Sequence, residues 1–186
     1  MANIAEAASA FLAHRRIAVV GVSRHAQGHG ANNVYRRLRQ RGYETFAVNP
    51  HADTVEGDRC YHDLKSIPGG VEAVVIATPA AASESVAREC RELGINAVWI
   101  HQGFGVGSLS DEAVTYCHEY GIPVIAGACP LMFKPASDFS HACMRWFLDV
   151  TGKLPLMADQ DPVPHAVRCL HGTHCGGKRL DNCQRT

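Results

Sequence analysis

A chain of 186 residues, 46% hydrophobic and 19% charged, is long enough for one domain with a sizeable core and short for two. Its 18 Lys and Arg balance 18 Asp and Glu, which speaks against a strongly basic nucleic-acid binder and against an acidic disordered chain. No run of about 18 apolar residues is present, so no transmembrane helix is expected.

In chain order, the first element is a helix with Ile4, Ala8, Phe11 and Leu12 on one face. A strand candidate follows at Arg16–Gly21, then a helix at Asn33–Arg41 presenting Val34, Tyr35 and Leu38, with Gly42 as its stop. Further strands are expected at Tyr43–Val48, Val71–Ala77, Ile95–His101 and Ile122–Ala126. Helices fill the gaps at 80–93, before Gly94, and at 109–120, after Ser108 and Ser110 as N-cap candidates. A closing helix at Ser137–Val150 spaces Phe139, Cys143, Trp146, Phe147 and Val150 for one buried stripe.

The strands are rich in β-branched residues and lack clean alternation, which suits central parallel strands covered on both faces. The expectation is an α/β fold, an open doubly wound parallel sheet of about five strands in the order 3-2-1-4-5. A domain over 1–152 and an arm or disordered tail over 153–186 complete the expected organisation.

The first 14 residues lack the basic start and apolar block of a secretory signal, so a cytoplasmic location is expected. The eight cysteines include no CxxC, and none is read as part of a disulfide framework. Cys169, His171, His174, Cys175 and Cys183 match no common zinc spacing, and no metal site is assigned.

In such a sheet, ligands bind beyond the C-terminal strand ends. The loop GVSRHAQGHGANN runs from the first strand into a helix, and its glycines and polar groups suit a phosphate or pyrophosphate. The basic start of the chain agrees, with seven arginines against Glu6 over residues 1–41. The dinucleotide fingerprint fails in both registers, because Ser23 and Asn33 stand where glycines are required. The second strand ends Val48-Asn49-Pro50 without the carboxylate of an NAD site, and a Walker A pattern is absent. NAD(P) is therefore the weaker alternative to another phosphate-bearing nucleotide.

The segments IAVVGVSR, AVNPHADTVEG, AVVIATPA, AVWIHQGFG and GACP stand in the order and spacing of the CoA-binding domain family, which this chain resembles over residues 11–150. That family includes the amino-terminal domain of the succinyl-CoA synthetase alpha subunit and small stand-alone CoA-binding proteins. The resemblance implies a Rossmann-like domain holding coenzyme A or an acyl-CoA. Carried over residue by residue, it implies contacts from Gly21, Val22, Ser23 and Arg24, and from Asn49, Pro50 and His51, where His51 or Arg24 replaces a phosphate-contacting Lys. It further implies contacts from Thr78 and Pro79, from Ile100, His101 and Gln102, and from Cys129 and Pro130.

The synthetases keep their catalytic His in a second domain with no counterpart in these residues, so ligase activity is not carried over. A non-catalytic carrier or sensor is the leading expectation. An enzyme acting through Cys129 and His101, or a ligase-type subunit completed by a partner, is the rival, and a homodimer is a candidate assembly.

Overall fold

The computed structural model describes residues 3–25, 30–102 and 108–137, together with 141, 143, 145, 146 and 150. Helix α1 (Ile4–Phe11) is opened by Asn3. The Asn3 side chain accepts from the Ala5 N–H at 3.1 Å, and Glu6 accepts from the Asn3 N–H at 3.3 Å. This capping box satisfies donors that a helix start otherwise leaves open.

Strand β1 (Arg16–Val20) leads through the first loop into α2 (Gly30–Gln40) and β2 (Glu44–Val48). A short hairpin follows, β3 (Thr54–Val55) and β4 (Asp58–Tyr61), and then β5 (Ala73–Ile76) and α3 (Ala80–Glu92). The chain continues through β6 (Val98–Ile100), α4 (Asp111–Glu119) and β7 (Val124–Ala126) to a 3-10 turn at Pro130–Met132. The Ser110 hydroxyl caps α4 by accepting from the Ala113 N–H at 3.2 Å.

The sheet order is β3-β4-β2-β1-β5-β6-β7, parallel throughout except for the β3–β4 pair. Side chains of alternating parity go to opposite faces. Ile17 and Val19 join a core with α1, α2 and residues 128–136, and Ala18 and Val20 join one with α3 and α4. All four residues of β5 are buried, the mark of a strand covered on both sides. Trp99 anchors the first core, with the Phe11 ring edge-on at 5.3 Å, the Phe133 ring at 5.6 Å and its indole N–H donating to the Gly127 carbonyl at 2.9 Å.

Two expectations are corrected. The strand at 71–77 does not lie outside β2: it pairs with β1, and β4 takes the place beside β2. With strands of two and four residues, the hairpin carries too little apolar periodicity to be read from the sequence. It turns on Glu56 and Gly57, whose φ values of 51° and 82° are those of a two-residue primed turn. Counting β4 as the third strand restores the 3-2-1-4-5-6 order of a doubly wound sheet.

The second correction concerns the last helical segment, whose described residues do not form a buried stripe. Trp146 and Val150 are 65% and 69% exposed and Cys143 is exposed. Arg145 stacks on the Phe133 ring at 4.7 Å, and both His141 and Arg145 are half-buried. Phe139, Phe147 and the expected tail over 153–186, with its cysteines and histidines, lie outside the described residues. Among the described residues, no helix is long and apolar enough to cross a membrane.

Candidate functional site

Strand register decides where the loops emerge. Val48, Val20, Ile76, Ile100 and Ala126 are paired in one row across β2, β1, β5, β6 and β7. The loops that follow them therefore rise from a single edge. The chain turns from one half of the sheet to the other between β1 and β5, which opens a crevice there.

Gly21 forms the floor of that crevice. Its N–H donates to the Val48 carbonyl at 2.9 Å, its φ is +99°, and a Cβ on it would stand 2.5 Å from the Ala77 carbonyl oxygen. Only glycine supplies both the backbone angle and the clearance. Val22 is fully buried and supplies backbone, its carbonyl accepting from Asn49 Nδ2 at 2.8 Å. Asn49 Oδ1 accepts from the His51 N–H at 2.8 Å, which turns the chain at Pro50 and leaves both Pro50 and His51 exposed.

Ser23 and Arg24 differ in what remains available. The Ser23 N–H donates to Asn32 Oδ1 at 2.9 Å, and the Ser23 hydroxyl accepts from the His25 N–H at 3.1 Å. Those two backbone donors, which the sequence offered to a phosphate, are spent within the loop. Arg24 is exposed and has no ion pair or hydrogen bond among the described residues. The arginines of α2 behave otherwise: Arg36 lies 3.8 Å from Glu56, and Arg39 pairs with Asp58. The basic helix thus faces the acidic hairpin.

Across the crevice, the Thr78 and Ser83 hydroxyls lie 3.2 Å apart, and Ser83 donates to the Ser108 carbonyl at 2.7 Å. Pro79 is exposed at the start of α3. Ile100 is fully buried in the α3–α4 core and reaches the site through backbone alone. The exposed Gln102 donates its N–H to the Ala128 carbonyl at 3.1 Å, which ties the ends of β6 and β7 together.

His101 is 6% exposed, with its ring against the first residue of α2: a Cβ on Gly30 would lie 3.1 Å from His101 Cε1. Burial, with His141 nearby, pushes its pKa down to about 4, so the imidazole is neutral at physiological pH. Cys129 is buried in the core that holds Trp99 and Phe133, and Pro130 beside it is buried at the start of the 3-10 turn. The loops 26–29 and 103–107 lie outside the described residues. Sequence reasoning missed Asn32 and Glu56, which hold the first loop from beneath. Their only local signal is Glu-Gly between two short apolar-polar runs.

A mostly parallel sheet whose loops converge at a reversal of strand order defines the Rossmann-like class of α/β proteins. The chain belongs to the CoA-binding domain family, whose description as a CoA binding domain matches residues 15–135.

Among curated relatives, the acetate–CoA ligase [ADP-forming] II subunit alpha of Pyrococcus furiosus is 32% identical over 126 residues, 64% of this chain and 27% of that one. The chain thus spans about a quarter of that ligase subunit. The Bacillus subtilis protein YneT is 30% identical over 62% of this chain and 82% of its own. A solved structure from Pyrococcus horikoshii OT3 shares the fold at a TM-score of 0.63 and 24% identity, covering 70% of this chain and 88% of that one.

Proposed function

We propose that this chain binds coenzyme A or an acyl-CoA in the crevice between β1 and β5 and acts as a non-catalytic carrier or sensor. The observation that carries the reading is the in-register row of strand ends, from which the five segments resembling the family leave the sheet at one edge.

The residues fit an anionic nucleotide. Arg24 is an exposed cation on the first loop without a partner among the described residues, His51 is exposed after the end of β2, and the N-terminal turn of the 11-residue helix α2 opens toward the same place. On this reading the phosphates of the nucleotide portion lie by Gly21–Arg24 and Asn49–His51. The pantetheine arm runs toward Thr78–Pro79, His101–Gln102 and Cys129–Pro130. NAD(P) is disfavoured because the end of β2 offers an amide committed to Val22 and His51, where a ribose-binding carboxylate is needed.

A second reading is favoured by one finding, the match to an alpha subunit of an acetate–CoA ligase. There the chain is the CoA-holding part of an assembly whose catalytic domain lies elsewhere. Native mass spectrometry of the protein with added CoA tests both at once. One CoA per chain is expected, and the subunit number is read in the same spectrum. Bare chain at saturating CoA would overturn both readings.

A further inference from the structure

The first loop is held by a buried polar chain that starts in the edge hairpin. Asn32, in the first turn of α2, is fully buried. Its side chain reads both backbone groups of Ser23, accepting the N–H at 2.9 Å and donating to the carbonyl at 2.8 Å. The remaining Nδ2 hydrogen goes to Glu56 Oε1 at 2.7 Å. Glu56 is 11% exposed in its side chain, and its second oxygen lies 3.8 Å from Arg36 Nε.

An amide has two orientations that differ only in exchanging O and N. Glu56 favours the one that the Ser23 N–H and carbonyl also demand, by offering an acceptor to Nδ2. With Nδ2 held toward Glu56, Oδ1 must face the Ser23 N–H.

The backbone of the hairpin is shaped for this contact. Glu56 sits at φ 51°, a conformation uncommon for a non-glycine residue and more readily adopted by Asn or Asp. That a long carboxylate stands there is explained by its reach across to Asn32.

We infer that Glu56 is a positioning residue for the ligand loop: through Asn32 it fixes the Ser23 peptide, and with it the direction in which Arg24 leaves the loop. The inference rests on the proposed CoA reading for its effect on affinity, but the loop geometry is testable without ligand. The edge hairpin then serves the site as a brace, through the contact of Glu56 with Asn32.

Two readouts test it on the full chain: hydrogen exchange of the Ser23 amide by NMR without ligand, and CoA affinity by calorimetry. Glu56→Ala removes the acceptor. Glu56→Asp withdraws it by one methylene while suiting the positive φ, so its fold is kept even if the alanine variant is lost. Glu56→Gln retains an acceptor oxygen, and Arg36→Ala leaves the Asn32 contact alone.

Exchange at Ser23 is expected to quicken about tenfold or more in the Ala and Asp variants, relative to amides of β5. CoA affinity should fall about tenfold in the same two. The Gln and Arg36→Ala variants should stay within about threefold of the parent in both. Unchanged exchange in Glu56→Asp, or equal losses in Glu56→Gln, would overturn the inference. Accelerated Ser23 exchange in a protein that binds no CoA would uphold the brace and remove the CoA reading instead.

Discussion

The α-carbon of Gly21 and the carbonyl of Ala77 meet so closely at the switch point that a single added methyl group would stand 2.5 Å from the oxygen. The two residues end neighbouring parallel strands, and the Ala77 N–H donates to the Val20 carbonyl at 2.8 Å. The crevice floor is therefore backbone against backbone. Gly21→Ala should cost about 2–5 kcal/mol, combining overpacking with a φ of +99°. Gly42 has φ +82° and open space around it, so Gly42→Ala should show the conformational part alone. Denaturant midpoints of the two variants measure the difference, and equal midpoints would deny the close approach.

Arg24 is an exposed charge of the first loop with no ion pair or hydrogen bond among the described residues. Arg24→Ala should leave the unfolding midpoint in place, because an exposed side chain without partners among the described residues contributes little to stability. Its CoA affinity should fall by about 1.5–3 kcal/mol, the range for a hydrogen bond to a charged group. Ser23→Ala should cost less, since the Ser23 backbone is held by Asn32 and not by its own hydroxyl. Calorimetry on both variants checks the order, and unchanged affinity in both would move the phosphate site elsewhere.

The five expected central strands and their flanking helices appear where β-branched runs and helical spacing put them. β1 from Ile17 onward and all of β5 are buried, on both faces, and such strands announce themselves by continuous apolar character. The edge hairpin was illegible for the opposite reason. Thr54–Val55 is two residues long, and its turn carries Glu where Asn or Asp would signal a primed turn. The Ser23–Asn32–Glu56 chain joins residues 9 and 24 apart in sequence, and no periodic pattern encodes such a contact. The last helical segment misled because its apolar spacing is regular, yet Trp146 and Val150 are exposed while Arg145 packs on the Phe133 ring.

His101 ties stability to pH. Its pKa is about 4 in the fold, below the ordinary value of 6.5 for an unfolded chain. Between those values the unfolded chain binds the extra proton, so stability is full above about pH 6.5 and falls as pH drops toward 4. The loss amounts to at most roughly 3 kcal/mol from this group. His101→Gln should flatten that part of the profile. Urea midpoints measured from pH 7 to pH 4 test it, and parallel profiles for parent and variant would contradict the assignment.

The same neutrality bears on catalysis. At physiological pH the neutral His101 presents no charge to a bound thioester, and the carrier reading gives it no acyl-transfer role. Acetyl-CoA or succinyl-CoA incubated with the protein, with and without ATP, should release no thiol above background. Cys129→Ser should keep its CoA affinity. Turnover that vanishes in both Cys129→Ser and His101→Ala would replace the carrier reading with an enzyme.

The most direct measurement is calorimetric titration of the parent chain with CoA, NAD and NADP under one condition. Saturable binding of CoA at one site per chain, tighter than either dinucleotide, is the predicted result. Saturable NAD or NADP binding with no CoA signal would contradict the assignment of the crevice between β1 and β5.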